Sequence, residues 1–116
     1  MEIRRIIANF DVDDPGRVDV FYRDVLGLEL VMDHGWIRTY ASGATMQPQI
    51  SFASEGGSGT PVPALSVEVD DLEQALARVR DAGIAVEYGP ASEPWGVRRF
   101  FIRDPLGKPI NILQHE

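Results

Sequence analysis

The first half of the chain alternates short apolar segments with polar turns. Residues 4–12 are rich in β-branched and aromatic residues, which predicts a strand that ends at a turn. A helix is predicted next, because Asp14 and Pro15 suit its first positions and Gly27 suits its end. Its apolar residues recur at helical spacing and predict one buried face: Val18, Phe21, Tyr22 and Val25. Three short strands complete a βαβββ order, at 28–32, 36–40 and 49–52.

The second half repeats this order. Residues 53–61 are small and polar, a composition typical of a flexible connection rather than of a packed element. Residues 64–69 alternate apolar and polar positions and predict a strand, and Asp70 and Glu73 have the spacing of a helix capping box. The helix has one apolar face and ends at Gly83; that face carries Leu72, Ala75, Leu76, Val79 and Ala82. Strands are predicted at 84–88, 97–102 and 109–113, with a turn at Asp104-Pro105-Leu106-Gly107 between the last two.

The two halves form an internal repeat. Phe10-x-Val12-Asp13-Asp14 matches Val67-x-Val69-Asp70-Asp71 at an offset of 57. Two copies are too few for a solenoid, which needs at least three. The sequence therefore predicts one α+β domain of two βαβββ modules, residues 1–53 and 63–116, joined by a linker at 54–62. Each module packs its helix on one face of its sheet, so two such curved sheets would enclose a cleft with their other faces.

Composition removes several classes of function. The chain has 116 residues, of which 44% are hydrophobic and 25% charged, and this fits one globular domain. It has no cysteine and only two histidines, His34 and His115, which excludes disulfides, thiolate metal sites, cysteine nucleophiles and multi-histidine metal sites. The net charge of −7 disfavours nucleic acid and anionic membrane surfaces as partners. No apolar run approaches a membrane span and no signal-peptide core is visible, so we expect a cytoplasmic protein.

Three motifs, in order, carry a resemblance to a known family. They are Asp13-Asp14-x6-Phe21-Tyr22-x3-Leu26-Gly27, Val67-x-Val69-Asp70-Asp71-Leu72-x2-Ala75, and Trp95-Gly96-x-Arg98-x-Phe100-x3-Asp104-Pro105-x-Gly107. Together they resemble the vicinal oxygen chelate superfamily, which includes glyoxalase I, extradiol dioxygenases, methylmalonyl-CoA epimerase and bleomycin-resistance proteins. The resemblance implies the glyoxalase/bleomycin resistance/dihydroxybiphenyl dioxygenase-like fold, with cupped mixed sheets around a cleft that holds the ligand. It also implies a homodimer.

The resemblance implies four inward-facing metal ligands, usually His, Glu or Gln. The family's spacing carries these positions to Ile7, Ala64 and Asn111, and near Gln49. Isoleucine and alanine cannot bind a metal, and amides are poor substitutes for carboxylate and imidazole ligands. No metal and no other cofactor is therefore predicted at this place. A displaced site built from Asp11 and Glu68 is the alternative.

Strand alternation from these positions predicts the residues that face the cleft. The two tryptophans fall where the family often has aromatic residues at the cavity rim, and the guanidinium of Arg98 could anchor an anion. The candidate ligand pocket is Asn9, Trp36, Gln49, Ser51, Ser66, Trp95, Arg98 and Asn111. Two alternatives stay open: the polar groups could satisfy one another in a filled interface, and Arg98 could instead pair with Glu87 or Glu93.

No catalytic residue is predicted, because neither a nucleophile elbow nor a phosphate loop is present. We expect a dimeric, metal-free protein that binds a small organic molecule, and the acidic balance agrees with a cationic or amphipathic ligand. The alternative is a metal-dependent lyase, isomerase or dioxygenase with an altered metal site, so whether the protein is an enzyme stays open. A regulatory domain with a filled cavity is a third possibility.

Overall fold

A computed structural model describes residues 1–43 and 49–116. The chain divides into two compact units: an N-terminal module, Ile7–Val62, and a C-terminal module that combines Met1–Ile6 with Pro63–Glu116. The strands in the described residues are β1 Ile3–Asp11, β2 Glu29–Asp33, β3 Ile37–Ala41, β4 Gln49–Ala53, β5 Leu65–Val69, β6 Tyr88–Glu93, β7 Val97–Arg103 and β8 Pro109–His115. No helix among the described residues is long and apolar enough to cross a membrane.

Both modules arrange their strands in the same order. In the N-terminal module β1 pairs in parallel with β4, β4 pairs antiparallel with β3, and β3 pairs antiparallel with β2. In the C-terminal module β5 pairs in parallel with β8, which continues antiparallel through β7 to β6. The same strand order twice, β2-β3-β4-β1 and β5-β8-β7-β6, confirms the predicted pair of modules with mixed sheets.

The first helical segment is split. A 3-10 turn, Pro15–Val18, precedes a π-helix, Val20–Val25, where one α-helix was predicted. The predicted ends are confirmed, because Asp14 accepts a hydrogen bond from the Gly16 amide and Gly27 has φ of +74°. The predicted buried face is only partly formed: Phe21 and Val25 are exposed, whereas Tyr22 is half-buried and its ring centroid lies 4.7 Å from that of Phe52.

The α-helix of the C-terminal module, α1, spans Leu72–Asp81 and begins one residue later than predicted. Asp71 caps it by accepting a hydrogen bond from the Gln74 amide at 3.0 Å. The capping box of Asp70 and Glu73 is therefore wrong, and the Asp70 carboxylate instead accepts the Glu2 amide at 2.7 Å. The apolar face of α1 covers the sheet, and the buried cluster consists of Val69, Leu72, Ala75, Leu76 and Phe100.

The strand predicted at 84–88 lies further along the chain. Strand β6 spans Tyr88–Glu93; of the apolar residues before it, Val86 packs against the α1 cluster, whereas Ile84 is exposed. The turn predicted at 104–107 is confirmed: Asp104 accepts hydrogen bonds from the amides of Leu106 and Lys108, both at 2.9 Å, and Gly107 has φ of +76°.

The stretch 53–61 is a packed turn, so the expectation of an unpacked connection was wrong. Gly56, Gly57 and Thr60 are buried, and the Thr60 hydroxyl donates to the Gly57 carbonyl at 2.7 Å. A Cβ at position 56 would collide with the backbone of Pro61. Gly56 therefore permits a close approach of two backbone segments.

A charged cluster fixes the 3-10 and π segments to the sheet of the N-terminal module. The Asp19 carboxylate accepts hydrogen bonds from the hydroxyl of Tyr40, which is fully buried, and from the Arg38 guanidinium at 2.6 Å. The bond from Tyr40 lowers the pKa of the Asp19 carboxyl; burial raises it, and the bond from Arg38 lowers it again. The pKa of Asp19 thus lies below its usual range, and the charged carboxylate stabilises the folded state.

The substitution Asp19→Asn should reduce stability most near neutral pH. A carboxyl whose pKa is lowered by folding stabilises the protein above its unfolded pKa, and this contribution is lost as pH falls through the folded value. The difference in unfolding free energy between wild type and variant should therefore shrink between about pH 6 and about pH 2. Urea unfolding across this range measures it. Asp24→Asn, at an exposed position of the same segment, is the control, and equal pH profiles for both variants would contradict the role of Asp19.

Candidate functional site

Strand register gives the sheet of the C-terminal module two distinct faces. Val67, Phe100 and Ile112 point to α1 and pack on its cluster. Their neighbours along each strand point the other way, since side chains alternate in a strand. We call this other side the α1-distal face; it carries Ser66, Glu68, Arg99, Phe101 and Asn111.

A buried ion pair lies on the α1-distal face. The Arg99 guanidinium is 3.3 Å from the Glu93 carboxylate, and both side chains are only 3% exposed. The Tyr88 hydroxyl donates to the other Glu93 oxygen at 2.6 Å. The guanidinium also lies over the rings of Phe101, Trp95 and Tyr88, at 4.9, 5.0 and 5.4 Å from their centroids. Ring faces attract cations, so the three aromatic residues compensate Arg99 for its lost hydration.

Arg98 lies on the opposite side of the sheet from Arg99. Its side chain lies on the same face of β7 as that of Phe100, two residues further along. Its guanidinium pairs with Glu73 on α1 at 3.1 Å. Its partner is therefore Glu73 rather than Glu87 or Glu93, which pair with Arg103 and Arg99. The structure does not bring Arg98 together with Ser66 and Asn111.

Asn111 is the polar centre of the α1-distal face. Its side-chain amide donates to the Ser66 hydroxyl at 3.2 Å, and the residue is 7% exposed. Its Oδ1 is buried and accepts no hydrogen bond from any residue that the structure describes. A buried acceptor without a donor costs about 1–3 kcal/mol, so this atom favours any donor that can reach it.

Glu68 is held by two basic side chains. Its carboxylate is 2.5 Å from the Arg5 guanidinium and 2.9 Å from the His115 ring nitrogen. Burial raises the pKa of the Glu68 carboxyl, but the hydrogen bond from His115 and the charge of Arg5 outweigh it, and the pKa is lowered overall. The carboxylate is thus charged and engaged within its own module.

The N-terminal module has an equivalent polar row. Ser51 lies between Asn9 and Thr39 in the sheet, and its hydroxyl is 2.7 Å from that of Thr39. Gln49 lies on the same face two residues away. The ring of Trp36 stacks on His34, with centroids 6.1 Å apart. The structure therefore groups Asn9, Gln49 and Ser51 in one module, and Ser66 and Asn111 in the other, where Trp95 contacts Arg99.

The residues present do not fit the metal centre that the fold family implies. Ile7 and Ala64 offer no ligand atom, and Gln49 and Asn111 offer only neutral amides. No group of three or more His, Asp or Glu side chains suited to a metal ion occurs within 1–43 and 49–116. The alternative ligand Glu68 is occupied by Arg5 and His115.

Removing one member of the buried ion pair should destabilise the protein strongly. Glu93→Gln leaves the Arg99 charge buried without its counter-ion, which costs about 3–5 kcal/mol. The control Glu73→Gln breaks the exposed pair with Arg98 and should cost less than about 1 kcal/mol. Urea unfolding compares the two variants. Equal losses would contradict the importance of burial at Glu93.

Comparison with known proteins agrees with this architecture. The family model that describes the sequences of the Glyoxalase/Bleomycin resistance protein/Dioxygenase superfamily matches residues 8–112 of this chain. No curated protein matches the sequence.

Solved structures share the fold at low identity. The NAD-dependent benzaldehyde dehydrogenase from Legionella pneumophila has a TM-score of 0.75 and 15% identity, over 97% of this chain and 100% of that one. A glyoxalase/bleomycin resistance protein/dioxygenase superfamily member from Vibrio splendidus 12B01 has a TM-score of 0.65 and 17% identity, over 99% and 100%. Methylmalonyl-CoA epimerase from Mycobacterium tuberculosis has a TM-score of 0.63 and 21% identity, over 98% and 87%. The family model matches nearly the whole chain, and the solved structures share its fold. This chain therefore belongs to the glyoxalase/bleomycin resistance protein/dioxygenase superfamily.

Proposed function

We propose that this chain is a metal-free member of its superfamily that binds a small organic molecule without transforming it. The observation that carries the proposal is the chemistry of the four positions where the family holds its metal. Two of them, Ile7 and Ala64, are equivalent in the repeat and aliphatic; the other two, Gln49 and Asn111, are amides. Such a set favours hydrogen bonding to a ligand over coordination of a divalent ion.

The side chains around these positions support binding of an organic molecule. Each module has hydroxyl and amide groups on the sheet face away from its helical segment, namely Ser51 beside Thr39, and Ser66 beside Asn111. In the C-terminal module the aromatic ring of Phe101 lies directly across from Asn111. A few oriented polar groups among apolar surfaces are the usual lining of a small-molecule site.

Metal retention tests this proposal against the metal-dependent enzyme. Protein purified without chelator, loaded in turn with Ni, Zn, Mn and Fe and then desalted, should keep less than about a tenth of an equivalent of each ion. Plasma mass spectrometry measures the content. Retention of about one equivalent would overturn the metal-free proposal, and loss of that metal in Glu68→Gln would then identify the displaced site.

We also propose a homodimer, in keeping with the arrangement that the family resemblance implies. The π-helix and the residue after it expose apolar side chains that a monomer would leave in water: Val20 and Val25 are 67% exposed, and Phe21 and Leu26 more than half exposed. A short segment with several exposed apolar side chains is typical of protein–protein contacts.

The substitution Val25→Glu should weaken the dimer, because it places a charge in the apolar contact. Light scattering after size-exclusion chromatography should show the wild type at twice the monomer mass of 12.9 kDa and the variant shifted towards the monomer. Gln74→Glu adds the same charge at an exposed position of α1 and serves as the control. A dimer unchanged by Val25→Glu would exclude this surface from the interface.

A further inference from the structure

The ionised side chains on the α1-distal face are balanced within the C-terminal module. Arg99 pairs with Glu93, Glu68 pairs with Arg5 and His115, and Arg103 pairs with Glu87 at 3.0 Å. The innermost of these pairs, Arg99 with Glu93, is almost fully withdrawn from water. A charged ligand placed beside these pairs would lose hydration without gaining a counter-ion, and burial of an uncompensated charge is costly. The face therefore favours an uncharged ligand.

The hydrogen-bonding requirement of the Asn111 side chain is one-sided. The Asn111 amide nitrogen is engaged by Ser66, which fixes the orientation of the carboxamide. Its Oδ1 is buried and lacks a donor among the described residues. A carbonyl oxygen can only accept a hydrogen bond, so the complementary ligand group is an N–H or O–H.

The immediate neighbour of Asn111 is a buried aromatic side chain. Phe101 is the directly opposed residue on β7, and opposed residues of an antiparallel pair have Cβ atoms about 4.5–5.5 Å apart. The Phe101 side chain already contacts the Tyr88 ring edge to face, with centroids 5.6 Å apart. A flat ligand next to Asn111 would extend this aromatic group.

We infer that the α1-distal face of the C-terminal module takes an uncharged aromatic molecule that donates one hydrogen bond to Asn111 Oδ1. This inference rests on the proposed small-molecule function and specifies the class of its ligand. It replaces the cationic ligand that the acidic composition suggested, because the acidic groups on this face are already paired with bases of the same module.

Four molecules of similar shape test the requirement directly. Indole has a ring N–H, benzofuran has an oxygen in its place, indole-3-acetate adds a negative charge and tryptamine adds a positive charge. Titration of ¹⁵N-labelled wild-type protein, followed by amide chemical shifts, should give an indole Kd at least about fivefold lower than that of benzofuran, the effect of one neutral hydrogen bond. The largest shifts should fall on β7 and β8, and indole-3-acetate and cationic tryptamine should bind more weakly than indole.

The substitution Asn111→Leu removes the acceptor at similar side-chain volume. In this variant the indole Kd should rise to that of benzofuran, while the benzofuran Kd stays within about twofold. Gln74→Leu makes the same change at an exposed position of α1 and should leave both Kd values unchanged. Thermal unfolding checks that Asn111→Leu is folded; if it is not, the wild-type comparison of indole with benzofuran decides alone.

The outcomes separate this inference from the proposed function. Equal binding of indole and benzofuran on β7 and β8 would overturn the donor requirement and leave a binding function in place. Tighter binding of tryptamine or indole-3-acetate than of indole would overturn the preference for an uncharged ligand. Absence of binding by every probe would overturn the inference, and the metal experiment would then bear on the proposed function separately.

Discussion

Parallel pairing of the first and last strand of each module is the constraint on which the remaining structure depends. A parallel pair cannot be joined by a tight turn, because the chain must return to the starting end of the sheet before the second strand begins. In the C-terminal module that return includes α1, which covers the sheet face carrying Val67, Phe100 and Ile112. The crossover thus packs one face against α1, and the other face carries the polar side chains of Ser66 and Asn111 beside the aromatic ring of Phe101. Ser66 and Asn111 meet because the same parallel register aligns β5 with β8.

The α1-distal face contains ionised side chains, but each of them is paired with a side chain of opposite charge. Arg99 and Glu93 are held together by a direct ion pair, a tyrosine hydroxyl and three aromatic rings. Such a group is rigid, since moving any member exposes the others to an unfavourable environment. In the proposed ligand site, recognition would therefore fall to the neutral carboxamide of Asn111 rather than to the ionised side chains around it.

The sequence predicted the features that depend on local rules. The glycines that end the helical segments, the turn at 104–107 and the alternating strand β5 follow from backbone conformation and side-chain spacing, and they are confirmed. The split of the first helical segment was not predictable in this way, because the contacts of Asp19 with Arg38 and Tyr40 join residues far apart in the chain. Residue spacing alone does not contain that information.

Arg98 was predicted on the cleft side of the sheet, where the structure has Arg99. This error has a different cause. Neighbouring residues of a strand face opposite sides, so a prediction one residue off reverses the assignment completely. The signal was present in the sequence, since the 104–107 turn sets Phe101 opposite Asn111 and thereby puts Arg99 on the face of Asn111. The buried partners of Arg99, namely Glu93 and Tyr88, depend on the register of β6, whose start the apolar pattern misplaced.

The membership of residues 1–6 in the C-terminal module has a consequence for how the chain folds. Glu2 exchanges backbone and side-chain hydrogen bonds with Asp70, and Arg5 neutralises Glu68, across more than sixty residues of intervening chain. Residues 1–6 are thus paired with a segment that is synthesised much later, and the intervening loop must close before these contacts form. A break of the chain between Val62 and Pro63 would separate the C-terminal module from its own first strand segment, so the repeat in the sequence does not mark two independent folding units.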